Sequence, residues 1–356
     1  MQIGIFTVGD VTTDPTTGRT PTEHERIKAT VAIAKKAEEI GLDVFATGEH
    51  HNPPFIASNP TATLAYIGAQ TENIILSTAT TLITTTDPPV LIAEDYAKIQ
   101  HLTDGRVDLM MGRGNTGPVY PWFGKDIRQG INLAIENYAL LRRLWNEDVV
   151  DWEGRFRTPL QGYTSTPRPL DGVAPFVWHG SIRSPRDRRA GGLLRRRLLP
   201  QPHLLAALAR RADGQPLPRA LRALRPRPCG PGDRRPRWPD LHAQGQPGGR
   251  PAVPPPTSTT PPVYGHGPSL EEFTEHTPLT VGSPQQVLER TLSFREYAGH
   301  YQRQLFLVDH AGLPLKTVLE QLDLLGEILP EMRKGFAEGR PADIPDAPTH
   351  ASLVAA

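Results

Sequence analysis

The sequence of 356 residues lacks several features, and each absence argues against a class of protein. It contains one cysteine, Cys229, which cannot form an internal disulfide, and its 39 basic and 38 acidic side chains leave a net charge of +1 at pH 7. Such a balance provides no field to attract nucleic acid or an anionic membrane surface. No apolar run is long enough to span a bilayer, and the segment Met1–Phe6 reads as a strand rather than as a signal peptide. These absences favour a cytoplasmic protein that binds neither nucleic acid nor a membrane.

Predicted strands and helices alternate along the chain. Apolar runs predict strands at 3–8, 42–47, 73–80, 106–112, 176–179 and 304–309, and helical periodicity predicts helices at about 22–40, 59–69, 91–102, 127–145, 283–292 and 315–334. Thr22 and Glu25 have the spacing of a capping box, and Ser283 precedes Pro284 as an N-cap. We see no signal of an antiparallel hairpin, so the alternation favours a parallel α/β barrel of the TIM type. The length suits a single barrel domain over 1–335, followed by a mobile tail at 336–356.

Titratable side chains follow two of the predicted strands. The apolar segment 42–47 leads into Glu49, His50 and His51, and the fourth predicted strand leads into Arg113. Catalytic groups of parallel α/β barrels lie at the carboxyl ends of the strands. Because side chains alternate between the two faces of a strand, only one of the two histidines should reach a pocket. The alternative is a histidine that only packs. The glycines on either side of Arg113 would let the backbone approach a ligand closely.

Several short motifs follow one another in a recognisable order. They are Gly48-Glu49-His50-His51, Ser77-Thr78-Ala79-Thr80, Leu102-Thr103-Asp104-Gly105-Arg106 followed by Gly112-Arg113-Gly114, and Val281-Gly282-Ser283-Pro284. Together they resemble the bacterial luciferase-like flavin-dependent monooxygenases, over about 1–184 and again over about 262–335. The resemblance implies a TIM barrel that binds reduced FMN, or in some branches a deazaflavin, at the carboxyl ends of its strands. It also implies a separate flavin reductase as a partner, and it leaves a homodimer open.

The resemblance assigns roles to some of these residues. His50 takes the position of the family's catalytic histidine, as a base or a hydrogen-bond donor, and the pKa of a histidine lies near working pH. Arg113 would pair with a phosphate or with the negative charge of the reduced ring. Glu49 and His51 are expected to orient the site or to pack. Ala79-Thr80 matches the place of a non-prolyl cis peptide beneath the flavin.

A second group of residues matches the family's phosphate-binding loop. Gly180 and Ser181 follow the fifth predicted strand, and Ser184 comes shortly after them. Backbone donors and hydroxyl groups at a helix N-terminus commonly hold a phosphate. The three positions are therefore expected to bind the phosphate of the cofactor. That helix would lie in a stretch of unusual composition, which leaves this expectation in conflict with the sequence around it.

The leading function is oxygenation of an aldehyde or another small organic molecule by reduced FMN and molecular oxygen. One alternative is hydride transfer with a deazaflavin. Another is a metal-dependent barrel hydrolase using Glu49, His50 and His51, for which Asp309 is the one late carboxylate. We expect no metal site, because adjacent histidines are poorly placed for ligands that normally come from several strands. The last alternative is an inactive barrel that does not fold completely.

The composition changes abruptly over 184–256. Arg, Pro, Leu, Ala and Gly dominate this segment, while Ile, Phe, Tyr, Met, Lys, Glu, Asn and Thr are absent from it. Such a segment could be a basic arm or a Pro-rich linker. We favour a GC-rich gene read out of frame, since the residues 187–199 permit codons that spell Ile-Ala-Glu-Gln-Ala-Ala-Tyr-Tyr-Gly-Asp-Gly-Phe-Phe after a shift of one base.

This anomaly has consequences for the barrel. Five strands are predicted before Ser184 and one after Pro262, so the sixth and seventh must come from 184–256. Its prolines, and the absence of any run of β-branched or aromatic residues, argue against strands there. We therefore expect an irregular segment with at most a short helix around Leu204–Arg211, an incomplete barrel, and a chain that is poorly soluble and free of flavin.

Overall fold

The computed structural model describes residues 1–84, 88–114, 116–181, 198–200, 204–208 and 279–356. The strands are β1 Gln2–Thr7, β2 Val44–Thr47, β3 Ile75–Thr78, β4 Thr81–Leu82, β5 Asp108–Gly112, β6 Val150–Trp152, β7 Leu160–Tyr163, β8 Phe176–Ser181, β9 Leu198–Pro200, β10 Leu204–Leu208, β11 Thr280–Gly282 and β12 Arg303–Leu307. The helices are α1 Glu23–Glu39, α2 Pro60–Gly68, α3 Pro89–Leu102, α4 Val119–Trp122, α5 Gly130–Asn146, α6 Pro284–Ser293, α7 Arg295–Ala298, α8 Leu315–Ala337 and α9 His350–Val354. Short 3-10 turns occupy Ile127–Gln129 and Leu170–Gly172.

The parallel strands form one continuous curved arrangement. One sheet has the order β11-β10-β12-β1-β2-β3 and another the order β4-β5-β8-β9, and a bridge between Leu76 and Val107 joins β3 to β5. After the end of β3 the chain pairs again as β4, which lies beside Met111 and Gly112 of β5. This α/β arrangement confirms the TIM-barrel fold class. Within the described residues, no strand pairing joins β9 to β11.

Local sequence signals position several helices as expected. The Thr22 hydroxyl accepts from the backbone N–H of Glu25, whose carboxylate accepts from the backbone N–H of Thr22, so the predicted capping box is present. Ser283 caps α6 in the same way, with Pro284 at the first helical position. None of the helices in the described ranges combines the length and the apolar character needed to cross a membrane.

A buried ion pair stabilises the amino end of the barrel. Arg303 begins β12 and Asp108 begins β5, and their side chains are 0% and 4% exposed. Arg303 contacts both carboxylate oxygens of Asp108, and its guanidinium carbon lies 4.6 Å from the ring centre of Trp178. The carboxylate also accepts from Ser77 and from the indole N–H of Trp178, and Arg303 donates to the side chain of Gln2. These contacts offset the cost of burying both charges.

Two expectations about the strands are wrong. An antiparallel hairpin does exist, because β6 and β7 pair with Val150 opposite Tyr163. Strands of three and four residues carry too little alternation to be recognised in a single sequence. The strand β11 was also missed, so the described residues after Pro262 contain two strands rather than one.

The expected helix around Leu204–Arg211 is also wrong. Leu204–Leu208 is a parallel strand between β11 and β12, with Leu204 beside Phe306 and Ala206 beside Thr280. Leucine and alanine favour helices, but a short apolar run is equally suited to a strand that has a neighbour on each side. Leu198–Pro200 pairs with β8, so the segment is not irregular throughout. The rest of 184–256 lies outside the described residues, and the poor solubility of the chain stays a prediction.

The segment after residue 335 makes contacts with the barrel. The helix α8 continues to Ala337, and the ring of His350 lies 3.0 Å from the side chains of both Gln100 and Asp171. Gln302 donates to the carbonyl oxygen of Pro345 at 2.7 Å. These contacts join the tail to the body of the barrel. The division at 335 and the mobility of the tail stay predictions.

Candidate active site

Three of the predicted site positions lie at one end of the sheet. His50 follows the end of β2, the Ala79-Thr80 peptide follows the end of β3, and Arg113 follows the end of β5. Since β2 is parallel to β3, and a parallel bridge joins Leu76 of β3 to Val107 at the start of β5, these ends face the same way. The structure therefore brings these positions together at the carboxyl end of the barrel. Their roles toward a cofactor stay predictions.

His50 is partly buried and is held by the loop that follows it. Its backbone N–H donates to the carbonyl oxygen of Ala57 at 2.8 Å, and its ring stacks on Phe55 with 4.3 Å between the ring centres. A methyl group placed on Gly48 would lie 3.5 Å from Cδ2 of His50 and 3.5 Å from the carbonyl oxygen of Ala79. The histidine ring and the Ala79 peptide therefore flank the same glycine, which places them in one site.

Glu49 and His51 contact each other and neighbouring groups, and the expectation that they orient the site or pack stays a prediction. The buried carboxylate of Glu49 accepts from the backbone N–H of Leu82 at 2.8 Å, and its other oxygen lies 3.1 Å from Nε2 of His51. The His51 ring packs edge-on against Phe123. Among the described residues, no group of three or more His, Cys, Asp or Glu side chains could hold a metal ion. Asp309 lies beside Arg26 instead, so nothing in this part of the chain supports the hydrolase alternative.

The Ala79-Thr80 peptide bond is cis, which confirms the geometry expected from the sequence. The N–H of Ala79 donates to the carbonyl oxygen of Thr47 at 2.8 Å. A methyl group on Gly112 would lie 2.3 Å from Oγ1 of Thr80, so this glycine admits the threonine. The sequence suggested that Gly112 would admit a ligand, and the structure fills that space with a protein side chain.

Arg113 has a partly buried side chain with donor capacity to spare. Its carbonyl oxygen accepts from the hydroxyl of Tyr120 at 2.7 Å. Cδ and one terminal nitrogen of its side chain would each lie 3.4 Å from a methyl group on Gly130, the first residue of α5. Its Nε is buried without a hydrogen-bond partner in the described structure. A guanidinium beside a helix N-terminus favours an anion, so this corner fits the negatively charged part of a flavin.

The predicted phosphate loop is only partly described. Gly180 and Ser181 are the last residues of β8 and pair with Leu199 and Pro200 of β9. They lie at the same end of the sheet as Arg113, but within a strand. Ser184 lies outside the described residues, so phosphate binding stays a prediction.

A cleft of about 530 Å³ opens at the opposite end of the barrel, lined by residues that include Gln2, Glu38, Asp43 and Asp346. Gln2 and Asp43 lie at the amino ends of β1 and β2, Glu38 lies near the carboxyl end of α1, and Asp346 belongs to the tail. The cleft is therefore remote from His50 and Arg113, and we assign no chemistry to it.

Sequence reasoning missed a cluster of charged side chains at the carboxyl ends of β1 and β12. Arg26 of α1 lies 2.7 Å from the Asp309 carboxylate, and His310 lies 3.1 Å from the carboxylate of Asp10. The available signal was the position of Asp10 and of Asp309-His310 just beyond two strands. Only Asp309 was considered, and only as a metal ligand.

Comparison with known proteins identifies the family. The profile described as luciferase-like monooxygenase matches residues 1–213. The F420-dependent glucose-6-phosphate dehydrogenase of Nocardia farcinica is 32% identical over 140 residues, which are 35% of this chain and 40% of that protein. The chain thus spans less than half the length of this curated relative.

Solved structures show the same fold. The monooxygenase RslO1 of Streptomyces bottropensis superposes with a TM-score of 0.66 at 17% identity, covering 93% of this chain and 99% of that one. The oxygenating constituent of 3,6-diketocamphane monooxygenase from Pseudomonas putida, in complex with FMN, gives 0.64 at 16% identity over 92% and 97%. Because the family profile matches more than half of this chain, the chain belongs to the luciferase-like monooxygenase family.

Proposed function

We propose that this protein is a flavin-dependent monooxygenase that uses reduced FMN and molecular oxygen on an aldehyde or another small organic substrate. The observation that carries the proposal is that His50, the Ala79-Thr80 peptide and Arg113 all lie just past the carboxyl ends of parallel strands of the barrel. Membership of the family supports an oxidoreductase. A separate flavin reductase would deliver the reduced cofactor, and the location would be the cytoplasm.

Each residue has a physical task in this proposal. Arg113, with its unpartnered Nε and the N-terminus of α5 beside it, would hold the negative charge of the phosphate or of the reduced ring. His50 would donate or accept a proton at the reacting group, and the stacked ring of Phe55 would keep water from one face of it. Gly180 and Ser181 would offer backbone donors to the phosphate. Reduced FMN, when bound, supplies the electrons for oxygen activation.

Deazaflavin-dependent hydride transfer is the second candidate. It is favoured by the dehydrogenase of Nocardia farcinica, whose name states F420 dependence and which is 32% identical over the matched residues. The same corner at Arg113 would serve either cofactor, because both carry a phosphate and an anionic reduced ring. The two candidates therefore differ in cofactor and in the fate of oxygen.

Anaerobic titration separates these candidates. The chain with its reading frame restored over 184–256 is titrated with reduced FMN and, separately, with a reduced deazaflavin, and binding is followed by quenching of the tryptophan fluorescence of the protein. We expect saturable binding of reduced FMN that Arg113→Ala weakens. Arg128→Ala is the matched control, because the Arg128 side chain is 85% exposed and pairs with Asp126 on the surface. Binding of the deazaflavin alone would favour the second candidate, and binding of neither would refute both.

A further inference from the structure

Four charged groups meet where β1 and β12 end. The carboxylates of Asp10 and Asp309 are each 1% exposed, the guanidinium of Arg26 is 8% exposed, and the ring of His310 is 28% exposed. Buried charges persist only when partners compensate them. The hydrogen bonds and ion pairs that each group makes therefore show which part of the chain it holds in place.

Arg26 is committed mainly to Asp309 and to the backbone. One of its terminal nitrogens lies 2.7 Å from the Asp309 carboxylate and 3.1 Å from the hydroxyl of Thr7, and its Nε donates to the carbonyl oxygen of Asp10 at 2.9 Å. The same terminal nitrogen is 3.9 Å from the carboxylate of Asp10. The charge of Asp10 is therefore only weakly compensated by Arg26, and it must be stabilised from elsewhere.

The Asp10 carboxylate reaches across to the segment that follows β12. Its Oδ2 accepts from the backbone N–H of Ala311 at 3.1 Å and from the hydroxyl of Thr12 at 2.9 Å. Nδ1 of His310 lies 3.1 Å from the same oxygen, a distance suited to an ion pair, although the ring N–H is not aligned for a straight hydrogen bond. Asp10 thus joins the end of β1 to the loop after β12.

The segment after β1, which contains Asp10, also pairs with the loop that follows His50. The backbone of Asp10 forms an antiparallel bridge with Phe55, and the flanking bonds run from Val11 N–H to Pro54 O and from Ile56 N–H to Gly9 O, both at 2.8 Å. The Phe55 ring in turn stacks on the ring of His50. A continuous set of contacts therefore leads from His310 through Asp10 and Phe55 to His50.

We infer that Asp10 is a positioning residue, which, held by His310, fixes the Phe55 ring against His50. The inference rests on the proposed function in one respect, because it takes His50 as the group that acts on the substrate. His310 completes the charge balance: Asp10 and Asp309 contribute two negative charges, and Arg26 and a protonated His310 contribute two positive ones. Loss of the His310 proton would leave a buried excess of negative charge and loosen the contact with Asp10.

The direction of the pH effect follows from the groups around His310. Asp10 from the loop after β1 raises the pKa of His310 above its ordinary value of 6.5, Asp309 adds to this, and burial and Arg26 from α1 oppose it. Burial alone would raise the pKa of Asp10, but His310, Thr12 and Arg26 outweigh burial and lower it. The imidazolium form is the one that the cluster stabilises. Its contribution is complete below the unfolded pKa and is lost as pH rises through the raised pKa.

Nuclear magnetic resonance of the full chain tests this linkage without any cofactor. The protein is labelled with carbon-13 at Cε1 of its histidines, and the His50 and His310 signals are assigned from His50→Gln and His310→Gln. On titration across neutral pH we expect the His50 signal to show an inflection at the midpoint of His310, and we expect His310→Gln to remove it. Asp10→Asn should shift the His50 signal and move the His310 midpoint down toward its ordinary value.

His101→Gln is the matched control, because His101 contacts the carbonyl oxygen of Arg168 near the end of α3. It should leave the His50 signal unchanged. If Asp10→Asn fails to fold by circular dichroism, His310→Gln still decides, since it keeps both carboxylates and Arg26. A His50 signal that is identical in the parent and His310→Gln proteins at every pH overturns the inference. The NMR experiment contains no flavin, so its result can be interpreted even if the proposed function proves wrong.

Discussion

The buried pair of Arg303 and Asp108 leads to the sharpest stability prediction. Arg303→Met removes the cation while the Asp108 carboxylate stays at the amino end of the barrel with only 4% of its side chain exposed. Breaking a buried ion pair by removing one partner costs about 3–5 kcal/mol, because the remaining charge is uncompensated. Donors from Ser77 and Trp178 still reach the carboxylate, so we expect a loss near the lower bound, about 3 kcal/mol. The Gln2 side chain would also lose its donor.

Equilibrium unfolding in urea, followed by circular dichroism, measures this loss. The double variant Arg303→Met/Asp108→Leu should recover much of the stability, since apolar replacement of both partners removes the uncompensated charge. Arg128→Met is the surface control and should change the free energy of unfolding by less than about 0.5 kcal/mol. A loss below about 1 kcal/mol for Arg303→Met, or a double variant no more stable than the single one, would refute the reasoning.

Three further predictions address the site and the anomalous segment. In the protein with its reading frame restored, His50→Ala should lower turnover by about 10²–10⁴-fold with little change in flavin affinity, whereas Arg113→Ala should chiefly weaken binding of reduced FMN. Steady-state kinetics beside anaerobic titration separates the two, and equal effects of both changes on flavin affinity, with turnover intact for His50→Ala, contradict the roles. Gly112→Ala should destabilise the protein by about 1–3 kcal/mol, because the added methyl group meets Thr80, and a urea midpoint unchanged from the parent would contradict this. Restoring the reading frame over 184–256 should raise solubility, the melting temperature and flavin affinity together; a cooperative melt with tight flavin binding by the unrepaired chain would show that the composition was misinterpreted.

Local signals were sufficient for much of the fold. The capping boxes at Thr22 and Ser283 depend on residues three positions apart, so a single sequence contains the whole interaction. The alternation of long apolar and amphipathic segments similarly indicated a parallel α/β barrel. Because parallel strands present their carboxyl ends on one side, the sequence also placed His50 and Arg113 at the same end.

Weak or ambiguous patterns were decided by tertiary contacts. Leu204–Leu208 has the composition of a helix, yet pairing with β11 and β12 makes it a strand. The hairpin of β6 and β7 consists of strands too short to show a period. The space beside Gly112 was interpreted as room for a ligand, and only the fold shows that Thr80 occupies it.

The sequence by itself determined the order of the longer helices and strands, the family motifs and the end of the barrel at which the predicted site residues lie. Only the tertiary structure assembled the cluster at the ends of β1 and β12, in which Arg26 and Asp309 are separated by 283 positions in the chain. No spacing rule connects residues so far apart, because their meeting depends on β12 pairing with β1 across the closed part of the barrel. The physical reason is the range of the interactions. Caps and periodicity act within a turn or a strand, whereas compensation of buried charge acts between any groups that the fold brings together.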